Sequence, residues 1–155
     1  MDLSHLTTNN WVSLGGKPIE YIKKRIKKRF DSGKFTFHVG TDSKSYLDHT
    51  IITTTICFRE AGSGALVAYQ RNKINNFNNI TDRLLHETLV SLEAAQMVLE
   101  ITGNSPTIHA DVNSKKSALS NRMLNVIVGM VQGMGFPIKV KPDAWAADIA
   151  DMYTR

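Results

Sequence analysis

Three extended segments in succession, then alternating helical and extended patterns, restrict this chain to an α/β fold built on a mixed sheet. The first segment is Phe35-Thr-Phe-His-Val-Gly-Thr-Asp42. Phe35, Phe37, Val39 and Thr41 share one face, and Thr36, His38, Gly40 and Asp42 share the other. That period of two predicts a strand ending at Asp42. Ile51 to Arg59 is rich in Ile and Thr and predicts a second strand. Gly62-Ser63-Gly64 supplies turn residues, and Ala65 to Arg71 predicts a third strand. The three form an antiparallel meander.

Downstream, the Asn-rich stretch Asn72 to Asn79 predicts a loop, and a long helix follows from about Thr81 to Ile101. Leu85, Leu89, Leu92, Ala95 and Leu99 form its expected buried stripe, with Gly103 as its C-cap. Thr107 to Val112 predicts a short strand, with Ile108, Ala110 and Val112 on one face and His109 and Asp111 on the other. A second helix spans Ser120 to Met134. Its Gly129 and Gly133 are four apart, a spacing that permits close backbone packing, and Gly135 then Pro137 end it. Pro137 to Lys141 predicts a fifth strand, and Trp145 to Tyr153 a terminal helix with Asp143 as its expected cap. No internal repeat, low-complexity tract or linker divides residues 1–155. A single domain is expected, in which 1–33 is a polar segment plus one further helix.

This order of elements gathers acids. If the fourth strand lies parallel to the first and beside it, Asp42 and Asp111 become neighbours, because adjacent strands are about 4.8 Å apart. Two such carboxylates can share a divalent cation. The third strand ends at the same edge, so the long helix starts there, with Glu87 early in it. A parallel fifth strand delivers the terminal helix to that edge too, with Asp143, Asp148 and Asp151. Open α/β sheets place their sites at this end.

Charge points to an anionic partner. The formal net charge is +5, from 19 Lys+Arg against 14 Asp+Glu. The excess is concentrated in Lys23, Lys24, Arg25, Lys27, Lys28 and Arg29. Ile19, Ile22, Ile26 and Phe30 recur through the same segment at helical spacing, Pro18 fits the first turn, and Ser32-Gly33 ends the run. The basic face of this amphipathic helix is either a solvated exterior or a rail for nucleic-acid phosphates through Lys23, Lys24, Lys27 and Lys28. The single cysteine, Cys57, excludes an internal disulfide framework and a Cys-clustered zinc site. No stretch approaches the roughly 18 apolar residues of a membrane span. Met1 to Asn10 is polar and has no signal-peptide core, so a soluble cytoplasmic protein is expected.

The element order, with acids at Asp42, Glu87, Asp111 and in the terminal helix, resembles the ribonuclease H-like superfamily. Within it, the chain resembles the YkuK family of bacterial and phage proteins. The carrying segments are Leu14-Gly-Gly-Lys-Pro-Ile19, Val39-Gly-Thr-Asp-Ser43, His109-Ala-Asp-Val112, Gly133-Met-Gly-Phe136 and Lys139-Val-Lys-Pro-Asp-Ala-Trp-Ala146, so the resemblance covers nearly the whole chain. It implies a five-stranded ribonuclease H-like sheet and a site for two Mg2+ (or Mn2+) ions. One ion would activate a water, and both would stabilise the oxygens of an in-line displacement at phosphorus. Oxygen-only ligands suit these ions. By this resemblance Asp42 bridges the ions, Asp111 and Glu87 hold one, and an Asp of the terminal helix holds the other.

Two residues compete for that last place. Ala147-Asp148-Ile149-Ala150 resembles the Ala-Asp-x-x-Ala pattern of ribonuclease H terminal helices, and Ala150-Asp151 offers a second match. With Trp145, Ile149 and Met152 as the inward face, Asp148 is slightly favoured over Asp151. One feature departs from the superfamily's ribonuclease H pattern, in which an Asn pair just before the helix Glu reads the RNA–DNA hybrid. Here Asn78-Asn79 lies eight or nine residues ahead of Glu87, and Arg83 and His86 take the nearer positions. Hybrid-specific recognition is therefore not implied. His38 and His86 are candidates for proton transfer, against the simpler reading of satisfied or solvent-facing histidines. The expected function is a divalent-metal-dependent nuclease. The alternative is a non-catalytic nucleic-acid-binding module on the same fold.

Overall fold

The computed structural model describes residues 6–7, 9–113 and 118–154. Its elements run β1 (Trp11–Ser13), β2 (Pro18–Ile19), α1 (Ile22–Asp31), β3 (Phe35–Ser45), β4 (Thr50–Glu60), β5 (Gly64–Ile74), α2 (Ile80–Thr102), β6 (Thr107–Asn113), α3 (Ala118–Gly133), β7 (Ile138–Lys141) and α4 (Trp145–Met152). Residues 1–5 and 8 of the polar amino-terminal stretch lie outside the described residues. Among the described residues, no helix is long and apolar enough to cross a membrane.

All strands join one mixed sheet in the order β2-β1-β5-β4-β3-β6-β7. β3, β4 and β5 form the antiparallel meander, β6 runs parallel to β3, and β7 parallel to β6. The sequence predicts five strands; among the described residues the sheet has seven. The additional pair is a small hairpin, β1 with β2, added antiparallel to the outer edge of β5. It covers an otherwise open strand edge and buries Trp11 and Ile19. Pro18 therefore lies in a strand, and α1 starts four residues later, at Ile22.

Side chains leave the sheet on two faces. Phe37, Val39, Ile56, Phe58 and Ala68 pack against Ile22 and Ile26 of α1 and Leu92, Ala95 and Val98 of α2. Met123 and Ile127 of α3 join Leu84 and Val112 on the same side. The opposite side of β4 and β5, at Cys57 and Val67, is covered by Ala146 of α4. Helices thus flank both faces.

The details of three helices differ from the sequence pattern. α2 buries Leu84, Glu87, Thr88, Val90, Ser91, Leu92, Ala94, Ala95 and Val98, so Leu92 and Ala95 of the expected stripe are buried while Leu85, Leu89 and Leu99 are only half-buried. On the buried face Ser91 Oγ and Thr41 Oγ1 lie 2.7 Å apart, a polar contact between helix and sheet. Gly129 and Gly133 do not mediate close packing, since a Cβ at either would meet nothing within 4 Å. They line an open apolar groove of about 800 Å3 with Leu89, Met97, Met130 and Met134. α4 is capped by Ala144 with no side-chain bond, so Asp143 is not its cap. One expected cap holds, Gly103, which closes α2 at φ 74°. The N-cap is Asn79, read from the sequence only as loop, whose Oδ1 accepts from Asp82 N.

Candidate active site

The register of β3 against β6 creates the site. Their parallel pairing runs from His38↔Thr107 to Gly40↔His109 and stops there. Asp42 and Asp111 each lie two residues beyond that last pair, on the same sheet face as His38 and His109, and so stand level where the strands part. β3 does not end at Asp42. It continues to Ser45, paired only with β4 as far as Ser45↔Thr50. This two-stranded extension forms one wall of a recess of about 570 Å3, lined by Asp42, Ser43, Lys44, Ser45, Arg83, Asp111, Lys141, Ala147, Asp148 and Asp151.

Gly40 lets the opposite wall approach. An added Cβ there would lie 2.5 Å from Ala147 N and 2.6 Å from Ala146 O, so only glycine admits the start of α4 at this distance. Thr55 Oγ1 donates to Ala146 O at 3.1 Å, and Thr53 Oγ1 donates to Tyr153 O at 3.2 Å, tying both ends of α4 to β4. The Tyr69 and Tyr153 rings stack at 4.2 Å.

Beneath α4 lies a ring cluster. Ala146 N donates to His109 Nδ1 at 3.3 Å, which leaves the His109 Nε2 proton to bond His38 Nδ1 at 2.9 Å. The His38 Nε2 proton then faces Thr36 Oγ1 at 2.9 Å. Trp145 packs on both imidazoles, with centroids 4.6 and 4.7 Å away. Burial lowers His38 to about 4 and His109 to about 3, so both are neutral at ordinary pH. His38 is a satisfied, positioning histidine. His86 is buried against Phe77, with ring centroids 5.3 Å apart.

The acids crowd one another. Asp42 is 3% exposed, and burial, then the carboxyls of Asp151 and Asp111 within bonding reach, push it up to about 8. Glu87, reaching the same point from α2, is 5% exposed; burial raises it well above the usual carboxylate range. Among the described residues, no three His, Cys, Asp or Glu side chains form a ready-made metal cluster. Two cations stand among the acids. Arg83 Nη2 is 3.6 Å from Asp42 Oδ1, and its Nε is 3.4 Å from Glu87 Oε1. Lys141 Nζ lies 2.6 Å from Asp111 Oδ1, a bond that raises the lysine above its ordinary value.

Of the residues singled out from the sequence, Asp42, Glu87, Asp111 and Asp151 meet here. Asp148 is exposed on the rim, where it acts on Lys141, so the terminal carboxylate beside Asp42 is Asp151. Lys23, Lys24, Lys27 and Lys28 are exposed but remote. They border Gln96, Glu100 and Ile101 of α2, which lie about 14–21 Å along that helix from Glu87 at 1.5 Å per residue. The sequence reading gives no role to Lys44 or Lys141. The signal for Lys141 is its place at the end of a strand parallel to the one bearing Asp111.

A parallel-stranded core continued by an antiparallel meander, with carboxylates meeting at the strand ends, defines the ribonuclease H-like class. The ribonuclease H-like family model matches residues 18–155, and the chain belongs to that family. Within it the chain is YkuK-like. It is 24% identical over 155 residues to the uncharacterized protein YkuK of Bacillus subtilis (strain 168), covering 88% of each chain.

Proposed function

We propose that the recess hydrolyses phosphodiester bonds in nucleic acid, aided by Mg2+ or Mn2+ held by Asp42, Asp111 and Asp151. The observation that carries this reading is the meeting of acids from β3, α2, β6 and α4 at one end of the sheet. Family membership supports a nucleic-acid-related role. The residues fit a hard cation. Every donor is an oxygen, and a cation offsets the burial and the neighbouring carboxyls that hold Asp42 neutral. When bound, such an ion lowers the pKa of a coordinated water and offsets charge on phosphoryl oxygens.

The chain's own groups supply the rest. Lys44, Arg83 and Lys141 line the recess and orient the anionic backbone. Asp148 on the rim limits how closely phosphates pass on that side. His38 and His109, neutral and bonded to each other, hold α4 in place and exchange no proton with substrate. The test is incubation with labelled RNA, DNA and hybrid duplexes in Mg2+ or Mn2+. Cleavage that disappears in Asp42→Asn is expected. No cleavage of any substrate, or equal cleavage by the variant, overturns the reading.

A second reading follows from the exposed lysines of α1, far from the acids: nucleic acid is held there without being cut. Binding that weakens steeply with salt, yet ignores both Mg2+ and Asp42→Asn, would favour it.

A further inference from the structure

We infer that the recess takes one divalent cation, not two, and that Arg83 is the permanent cation of the position between Asp42 and Glu87. This rests on reading the recess as a metal-dependent site. The guanidinium is anchored before it meets either acid. Its Nε donates to Ser43 Oγ and its Nη2 to the Ser43 carbonyl, each at 3.0 Å. From that anchor it faces Asp42 Oδ1 at 3.6 Å and Glu87 Oε1 at 3.4 Å. Arg83 and Glu87 are one turn apart on α2, so the pair is fixed to one helix.

Glu87 depends on this partner. Its carboxylate is buried, and neither oxygen has a hydrogen bond, so the guanidinium is the charge beside it. A divalent ion between Asp42 and Glu87 would have to expel a group that cannot shed its proton from two hydrogen bonds to Ser43. Lys141 differs. It pairs with Asp111 through a single ammonium on a side chain 42% exposed, so it can swing out when an ion arrives. The position left is the one where Asp42 meets Asp151 carboxyl to carboxyl, with Asp111 alongside. Arg83 then contributes beside the substrate what a second ion supplies elsewhere: fixed positive charge and planar donors for phosphoryl oxygens.

Mn2+ titration of the full chain, followed by calorimetry and electron paramagnetic resonance, tests this. The wild type is expected to bind one Mn2+ with the spectrum of an isolated ion. Arg83→Gln is expected to bind a second ion and to show a coupled Mn–Mn signal. Glu87→Gln changes Mn2+ affinity less than about 10-fold, whereas Asp42→Asn lowers it more than about 100-fold, beyond the range of outer-shell partners. Two coupled ions in the wild type overturn the inference, as does an affinity loss in Glu87→Gln equal to that in Asp42→Asn. If Arg83→Gln fails to fold, the wild-type count and Glu87→Gln still decide. A chain that binds one Mn2+ and cuts no nucleic acid loses the nuclease reading but keeps this one. A chain that cuts with two ions keeps the nuclease reading and loses this one, and a chain that binds no Mn2+ loses both.

Discussion

Asp42→Asn separates the stability of the recess from its chemistry. An aspartate with an ordinary pKa of 3.8 stands here at about 8. At about 1.4 kcal/mol per pH unit, ionising it in the metal-free fold costs on the order of 5 kcal/mol. Between these values the folded chain holds a proton that the unfolded chain has lost. The stability from this group is therefore complete below about pH 4 and declines as pH rises through about 8. Asn keeps the shape and removes the titration. Part of the cost belongs to Asp111 and Asp151, and the amide forgoes the ion pair with Arg83, so the expected gain over wild type is smaller. About 2 kcal/mol at pH 8 in EDTA is expected, or about 4–8 °C in Tm. Near pH 4 the two proteins melt together. Mg2+ at a hundredfold excess over Kd then stabilises the wild type by about 2.7 kcal/mol and leaves the variant unchanged. Thermal melts across this pH range, with EDTA and with Mg2+, measure every one of these differences. An Asn variant that melts below wild type at pH 8 in EDTA, or that gains as much from Mg2+, refutes the reasoning.

Three further outcomes follow from the same geometry. Gly40→Ala forces its new methyl into the Ala146–Ala147 backbone, which costs about 3 kcal/mol in urea denaturation and weakens Mn2+ binding by lifting Asp151 away. Arg83→Ala removes two hydrogen bonds to Ser43 and costs about 1–3 kcal/mol, since Glu87, already raised by burial, takes up a proton when the guanidinium is gone; a double-mutant cycle with Glu87→Gln measures the coupling. His38 and His109, lowered to about 4 and 3, contribute stability that is complete above about pH 6.5 and lost as pH falls through those values. In a Trp11→Phe background, Trp145 emission stays level down to about pH 5 and changes only below it; a midpoint near 6.5 would contradict the burial of both rings.

The pairing of Asp42 with Asp111 is legible in the sequence because connectivity alone dictates it. A meander followed by a parallel strand puts both carboxylates at one edge, and the alternation in each strand puts them on one face. What is not legible has physical causes. Lys44 and Ser45 continue β3 through backbone pairing with β4, without a buried face to mark them. The phase of α4 is hidden because its contact side is made of Ala146, Ala147 and Ala150, too small to leave a pattern. Met152 suggests the inward side and is 67% exposed, which is why the sequence favours Asp148 over Asp151. β1 and β2 are three and two residues long, below the reach of any periodicity. Arg83 and Lys141 read as ordinary surface cations until the fold sets them beside acids.

The short ladder between β3 and β6 has a consequence of its own. Three rungs join them, and then a register shift in β6 between Ala110 and Asn113 turns that strand aside. One more rung, Thr41 with Ala110, would sew this slit shut and leave Glu87 behind a curtain of backbone. The aperture exists because two strands stop holding hands early. A change that lengthened their seam would part Glu87 from Asp42 and Asp111 and leave Arg83 with acids on one side only.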